Sequence, residues 1–268
     1  MKLGSGKSFY AEDLAYVHDA GFLDFARRAA PGVLAHVRRH CPAGAWVIEL
    51  GCGSGGLTEH LVAAGYRVLG IDLSPAMLRL ARRRAPAARY RAASWCNFAP
   101  RRCDAIVAVG ECLNYMGAGA RQHEAALRRF FRQMAAALPP GGLLLFDFLE
   151  PSAARPRRRS VETCGPDWVV LVAVEEDRRR RMVVRRITTI RQVGGQQRLS
   201  FEIHRQRLLR RADVAARLRA AGFTVRFRGG YGRVRLKPGH VVVEAVREPA
   251  GGAPERYLVA SPDAGVNY

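Results

Sequence analysis

The chain has 268 residues, with 44 Lys and Arg against 23 Asp and Glu, a formal net charge of +21. At 49% hydrophobic and 25% charged residues, it is a globular sequence that can bury one elaborated core or two small ones. No apolar run approaches the ~20 residues of a membrane span and MKLGSGKSFYAEDLAY has no apolar signal region, so a cytoplasmic protein without membrane contact is expected.

The six cysteines, Cys41, Cys52, Cys96, Cys103, Cys112 and Cys164, form no C-x-x-C pair and no zinc spacing. Neither disulfides nor a structural metal are expected. The charge invites a nucleic-acid reading, but only Lys2, Lys7 and Lys237 are lysines. Arginine in an alanine-rich chain is also what GC-rich codon usage produces. The excess is uneven, with RPRRR (155–159) and RRRR (178–181) in the second half. A solvated basic face is therefore favoured over a nucleic-acid partner. The GKS at residues 6–8 is not a P-loop, because its first glycine is missing and no strand precedes it.

In chain order, residues 8–40 read as helical, with Leu14, Val17, Phe22, Phe25, Ala29, Val33 and Val37 recurring at three- to five-residue steps and breaks near Gly21 and Pro31. Residues 45–50 form a short buried strand that ends in a glycine loop. A helix through Leu57 and Leu61 stops at Gly65, and RVLGID (67–72) is the next strand. Ser74 can cap a helix with Pro75 at its first position. Residues 88–93 and 104–109 are strands, 120–138 is a helix, and 143–148 (LLLFDF) is a buried strand. The alternation predicts an α/β doubly wound parallel sheet.

Beyond residue 150 the pattern changes. An Arg/Pro-rich link (151–160) precedes β-rich runs at 167–175, 182–193 and 197–208. In the last, Leu199, Phe201 and Ile203 alternate with Ser200, Glu202 and His204, the pattern of a half-exposed antiparallel strand. A helix at 211–221 and strands at 224–228 and 240–246 follow. Five segments result: a helical lid (1–44), a core (45–150), an antiparallel β insertion serving as cap or dimer interface (151–209), a return to the core sheet (210–247) and a loose tail (248–268).

ELGCGSGG (49–56) decides the chemistry. Gly51, Gly53 and Gly56 satisfy G-x-G-x-x-G, the dinucleotide pattern, while Glu49, Gly51, Gly53 and Gly55 satisfy E-x-G-x-G-x-G. Such a turn lets backbone approach a ligand beside a helix N-terminus. A fixed carboxylate at Glu49 would repel a pyrophosphate and attract an ammonium. Asp72, at the end of the second strand, can accept ribose hydroxyls from either ligand class. Leu73 and Met77 are apolar neighbours suited to a base.

VIELGCGSGGLTEHLVAAGYRVLGIDLSPAMLRLAR (47–82), with DAIVAVGECLNY and PPGG-LLLFDF, resembles the class I S-adenosylmethionine-dependent methyltransferases over about residues 45–150, in a bacterial small-molecule branch. The resemblance implies a Rossmann-like seven-stranded sheet whose last strand runs antiparallel, with S-adenosylmethionine as cofactor. Glu49, Gly51, Gly53 and Gly55 would then hold its methionine moiety and Asp72 its ribose, with Leu73 and Met77 flanking adenine. Where that family often has an acid near the adenine amine, this chain has ASWCN (93–97), leaving Ser94 and Trp95 or backbone; Gly110 completes the cofactor wall.

The acceptor should sit beyond the ends of the fourth and fifth strands. Glu111 is the leading candidate there, as base or as clamp for a cationic amine. Asn114, Tyr115, Asp147 and Tyr231 are candidate acceptor contacts. Tyr10 and His18 lie on the N-terminal segment, His18 as an alternative base. The expected reaction is methylation of N or O in a small molecule by a monomer or homodimer. The alternatives are an RNA or protein methyltransferase using the arginine-rich surface, and a non-catalytic S-adenosylmethionine-binding protein.

Overall fold

A computed structural model describes residues 9–116 and 120–249. Helices α1 (Glu12–Phe22) and α2 (Asp24–His40) precede β1 (Trp46–Leu50), α3 (Thr58–Ala63), β2 (Arg67–Asp72), α4 (Pro75–Arg84), β3 (Arg89–Ala92) and β4 (Ala105–Ala108). A single 3₁₀ turn, Cys112–Asn114, leads toward α5 (Ala120–Ala137) and β5 (Leu143–Leu149). Next come β6 (Arg158–Cys164), β7 (Trp168–Asp177), β8 (Met182–Val193) and β9 (Gln196–Arg207). The described chain closes with α6 (Arg211–Ala220), β10 (Phe223–Arg228), β11 (Gly230–Tyr231), β12 (Val234–Arg235) and β13 (His240–Arg247).

The main sheet has seven strands in the order β10-β13-β5-β4-β1-β2-β3. The pairs among β5, β4, β1, β2 and β3 are parallel. β13 runs antiparallel to both its neighbours. Both faces are buried, so the parallel strands read as continuous apolar runs. Val47, Leu143 and Leu145 pack under α2 and α3 on one face. Ile48, Leu50, Leu144, Phe146 and Phe148 meet the buried face of α5 on the other. Among the described residues no helix is long and apolar enough to cross a membrane.

The expected break at Pro31 does not occur. The N-terminal helices separate at Leu23, and α2 continues through Pro31. Tertiary packing overrides the lost hydrogen bond: Ala29, Ala30, Val33 and Val37 are fully buried, and a Cβ on Gly32 would lie 2.4 Å from the Tyr231 backbone. α2 is thus part of the core layer rather than of a lid. α1 is a wedge. Ala15 packs with Ala76 and Met77 of the α4 segment, while Leu14 and Val17 join Trp168, Val170 and Ile187 of the insertion.

The insertion is a four-stranded antiparallel sheet, β6-β7-β8-β9. Its first strand, β6, falls partly in the segment expected to be a link. Arginines hide its period, and it is an edge strand exposed along most of its length. The half-exposed pattern of β9 is present with its faces reversed. Leu199, Phe201 and Ile203 are 46–51% exposed, whereas Glu202, His204 and Gln206 are buried. Between β10 and β13 the chain adds a two-stranded hairpin, β11-β12. Of the expected loose tail only residues 248–249 are described, and the GKS at 6–8 likewise lies outside the described residues.

Candidate active site

The cleft opens where β1, β2 and β4 end, between the glycine loop and the α1 wedge. Gly51, Gly53, Ser54, Asp72 and Leu73 line one side, and Phe9, Tyr10, His18, Phe22 and Tyr115 line the other. Gly51 and Gly53 have φ of +66° and +52°, left-handed values that glycine adopts freely. A side chain on Gly51 would also collide with the Cys112 sulfur. Gly55 does not line the cleft. It faces Ala81 of α4, 3.1 Å from where its Cβ would stand, so it serves loop–helix packing.

Glu49, the penultimate residue of β1, is 4% exposed and lines the cleft. Its one hydrogen bond among the described residues is from the Thr58 hydroxyl at 2.5 Å. Burial pushes its pKa up to about 8. Such an under-partnered carboxyl can receive a cation, because an ammonium would restore its ionised form. Asp72 is positioned from two directions, accepting from Gly53 N at 2.9 Å and from Ser74 N at 2.8 Å. The same carboxylate therefore shapes the glycine loop and starts α4, whose N-cap is the Ser74 hydroxyl accepting from Met77 N. Both oxygens retain acceptor capacity. Leu73, 46% exposed, lies at the cleft wall with Met77, Ser94 and Trp95, and Trp95 is braced edge-on by Phe130. Gly110 also lines the cleft.

On the opposite side, the Tyr10 and Tyr115 hydroxyls lie 3.1 Å apart. Tyr10 has φ +53°, a left-handed conformation costing a non-glycine residue ~1–3 kcal/mol. His18 is half-buried, packs edge-on to Tyr10 and stacks on Phe22. Burial holds its pKa down to about 4, so the imidazole is neutral at pH 7.

Other sequence-derived candidates lie behind these walls. Glu111, expected as base or amine clamp, accepts from Arg185 Nη2 at 2.9 Å and Gln206 Nε2 at 2.8 Å, and pairs with His240 Nε2 at 2.6 Å. Although burial opposes its ionisation, Arg185 and His240 hold its carboxyl far below the usual range. It is committed to joining the insertion to the core and is a poor proton acceptor. Asp147 does not face the cleft. It is 1% exposed and accepts from Gly110 N and Glu111 N, each at 2.8 Å, which fixes the loop after β4. Asn114, fully buried, staples β5 to β9 through Leu149 and Arg207 backbone groups. Tyr231 is fully buried under α2. Asp147 and Asn114 are structural because their short polar groups satisfy irregular backbone, and Tyr231 is structural as a core-packing ring.

Sequence reasoning missed the contribution of β8 and β9. Arg185 and Gln206 bind Glu111. Glu202 accepts from Tyr10 N at 2.7 Å and Ala11 N at 2.8 Å, and His204 packs on Phe9, Tyr10 and Tyr115. The available signal was the polar half of the β9 alternation, Glu202, His204 and Gln206, which would be costly to bury without partners.

The residues present fit S-adenosylmethionine. Glu49 suits the α-ammonium, the glycine loop admits close approach by a carboxylate, Asp72 offers acceptors to ribose hydroxyls, and Leu73 with Met77 gives an apolar face. A methyltransferase-domain family matches residues 47–142. Trans-aconitate 2-methyltransferase of Paracidovorax citrulli (strain AAC00-1) is 39% identical over 127 residues, 46% of this chain and 45% of that protein. The dTDP-3-amino-3,6-dideoxy-alpha-D-glucopyranose N,N-dimethyltransferase of Streptomyces fradiae is 29% identical over 223 residues, 82% of this chain and 86% of that protein. The chain thus spans under half of the first relative and most of the second. An S-adenosylmethionine-dependent methyltransferase structure from Clostridium acetobutylicum ATCC 824 superposes with TM-score 0.73 at 16% identity, covering 88% of this chain and 98% of that one. Residues 47–142 thus match a methyltransferase domain, and the sheet order around them is that of the class I S-adenosylmethionine-dependent methyltransferase fold.

Proposed function

We propose that the protein methylates an amine nitrogen of a small molecule, with S-adenosylmethionine as donor. The observation that carries this reading is the charge of the cleft. Among the described residues no Arg or Lys lines it, although the chain carries 44 of them, while Glu49 and Asp72 do. An anionic acceptor would enter a site with no cationic partner; a neutral amine in equilibrium with its ammonium form would not be penalised.

The bound donor supplies an electrophilic methyl group on a sulfonium. The chain's own residues would orient and exclude. Glu49 and Asp72 fix the two ends of the donor, while Phe9, Phe22 and Tyr115 keep water from the reacting atoms. The Tyr10–Tyr115 hydroxyl pair is the polar element on the acceptor side, placed to hydrogen-bond the incoming group. An alcohol would need a strong base, and neither committed Glu111 nor low-pKa His18 is one. A neutral amine needs none before attack; its proton leaves afterwards. The S. fradiae relative, named for dimethylation of an amino-sugar nucleotide, supports nitrogen as the target.

The test is incubation with methyl-labelled donor and a metabolite extract, followed by mass spectrometry of labelled products. Label on an amine is expected; label only on carboxylates or hydroxyls would overturn the assignment. Label in RNA, with steeply salt-dependent RNA affinity, would favour the arginine-rich surface instead. Donor binding without transfer to any acceptor would favour a binding protein.

A further inference from the structure

The strained residue at the cleft is held from two sides by groups that do not belong to its own segment. On the insertion side, the Glu202 carboxylate accepts from Tyr10 N at 2.7 Å and Ala11 N at 2.8 Å, and its Oε2 also lies 2.8 Å from His204 Nε2. Ala11 precedes the first turn of α1 and offers no side-chain cap. Glu202 therefore caps that helix from a strand some 190 residues away, and places negative charge where the helix dipole favours it. On the core side, the Ser74 hydroxyl donates to the Tyr10 carbonyl at 2.6 Å, and Ser74 N donates to Asp72. One continuous chain of hydrogen bonds thus runs from β9 through the Tyr10 backbone and Ser74 to the Asp72 carboxylate.

We propose that Glu202 is a positioning residue that latches Tyr10 over the cleft and couples the insertion sheet to the cofactor loop. A left-handed Tyr10 persists only while its surroundings over-determine it. Here the determinants are the two backbone N–H groups bound by Glu202 and the carbonyl bound by Ser74. With both in place, the Tyr10 ring closes the cleft against Tyr115. With the carboxylate gone, Tyr10 relaxes to an ordinary backbone conformation and the wall over the donor opens. His204, 1% exposed with its Nδ1 unpartnered, fills the space behind both tyrosines and orients the Glu202 carboxylate. Glu202 itself lies outside the cleft lining, so any effect on ligand binding must pass through the latch.

The inference rests on the cofactor reading of the cleft, and S-adenosylhomocysteine serves as the probe. In Glu202→Gln, which preserves shape and removes charge, its dissociation rate is expected to rise about tenfold with association nearly unchanged, the consequence of losing a charge-assisted hydrogen-bond pair. Amide exchange should accelerate in the peptide covering residues 10–15 and not in β1 or β5. A packing role would survive the isosteric change, so unchanged dissociation and unchanged exchange at 10–15 would overturn the latch. Where that variant does not fold, the wild-type protein gives the answer. S-adenosylhomocysteine should slow exchange at residues 10–15 at least as much as in the glycine loop, and no slowing there refutes the coupling. Failure of the probe to bind wild-type protein would instead refute the cofactor reading.

Discussion

The two walls of the cleft are built in opposite ways. The donor wall is local: Glu49, the glycines, Thr58, Asp72, Ser74 and Met77 fall within one β-α-β-α stretch, each held by a strand end or a helix start. The acceptor wall is assembled from distant segments, with Phe9, Tyr10 and His18 at one end of the chain, Tyr115 in the middle, and Glu202, His204 and His240 beyond it. A local site is fixed by spacing, because the turn that carries it permits few residues. A non-local site is fixed by pairing between elements, and single residues in it reveal little until their partners are known.

The largest expected effect tests the donor wall. Asp72→Ala removes the acceptor of both Gly53 N and Ser74 N, so the loop loses its shape as well as its ribose partner. Glu49→Ala removes the counter-ion of the ammonium. Each should weaken S-adenosylhomocysteine binding by about 100-fold or more, the cost of a lost charged partner in a buried site. Calorimetric titration measures it, and near-normal affinity in both would break the assignment of this wall.

Glu111→Ala should separate stability from binding. It leaves Arg185 and Gln206 without their carboxylate acceptor, and losing charge-assisted hydrogen bonds in this half-buried site costs ~1.5–3 kcal/mol. Denaturant unfolding should show a loss of that order while folded protein binds S-adenosylhomocysteine within a few-fold of wild type. The reverse pattern would restore Glu111 to the ligand site. This variant distinguishes the walls directly, since Glu111 is as polar as Glu49 and is spent on holding elements together.

The pH dependence of binding offers a smaller, signed effect. In the free protein burial favours the neutral form of Glu49 and pushes its pKa up to about 8, from an ordinary carboxylate value of 4.5. The folded state therefore holds this proton more tightly than the unfolded chain. Its contribution to stability is present below about pH 4.5 and is lost progressively as pH rises toward 8. Binding a cation reverses the preference and expels the proton. Affinity for S-adenosylhomocysteine should then rise with pH between about 6 and 8, and Glu49→Gln should abolish that slope. Isothermal titrations in buffers of different ionisation enthalpy would register the released proton; identical heats in all of them would contradict it.

What the sequence disclosed follows the same division. The sheet was legible because β1, β4 and β5 are apolar strings between glycine and proline stops, and the donor loop because glycine spacing and Glu49 are adjacent. Asn114, Asp147 and Tyr231 lie in or just after strands β4, β5 and β10, yet spacing cannot say which way they point. Asp147 alternates with Phe146 and Phe148, so a polar residue inside a buried strand was ambiguous between a ligand contact and a backbone anchor. β9 shows the limit most sharply. Its alternation was visible, but burial followed the polar set, since Glu202, His204 and Gln206 find partners in residues 9–11 and in the segment after β4 that no local pattern encodes.

That reversal gives the smallest and most discriminating prediction. Phe201 is 48% exposed on the outer face of the insertion, between Leu199 and Ile203, and its cross-strand partner is Thr188. If the outer face only covers the sheet, Phe201→Ser should change stability by no more than ~0.5 kcal/mol, as for other surface substitutions. On the inner face, Gln206→Leu removes a donor to Glu111 and should cost ~1–3 kcal/mol despite adding apolar surface. Conventional patterning predicts the opposite ranking, because it would bury the phenylalanine and expose the glutamine. Paired denaturant unfolding of the two variants decides the matter: a larger loss for Phe201→Ser would mean that the outer face is itself buried, as it would be against another copy of the chain, whereas the expected ranking confines the working face of the insertion to the side that holds Tyr10.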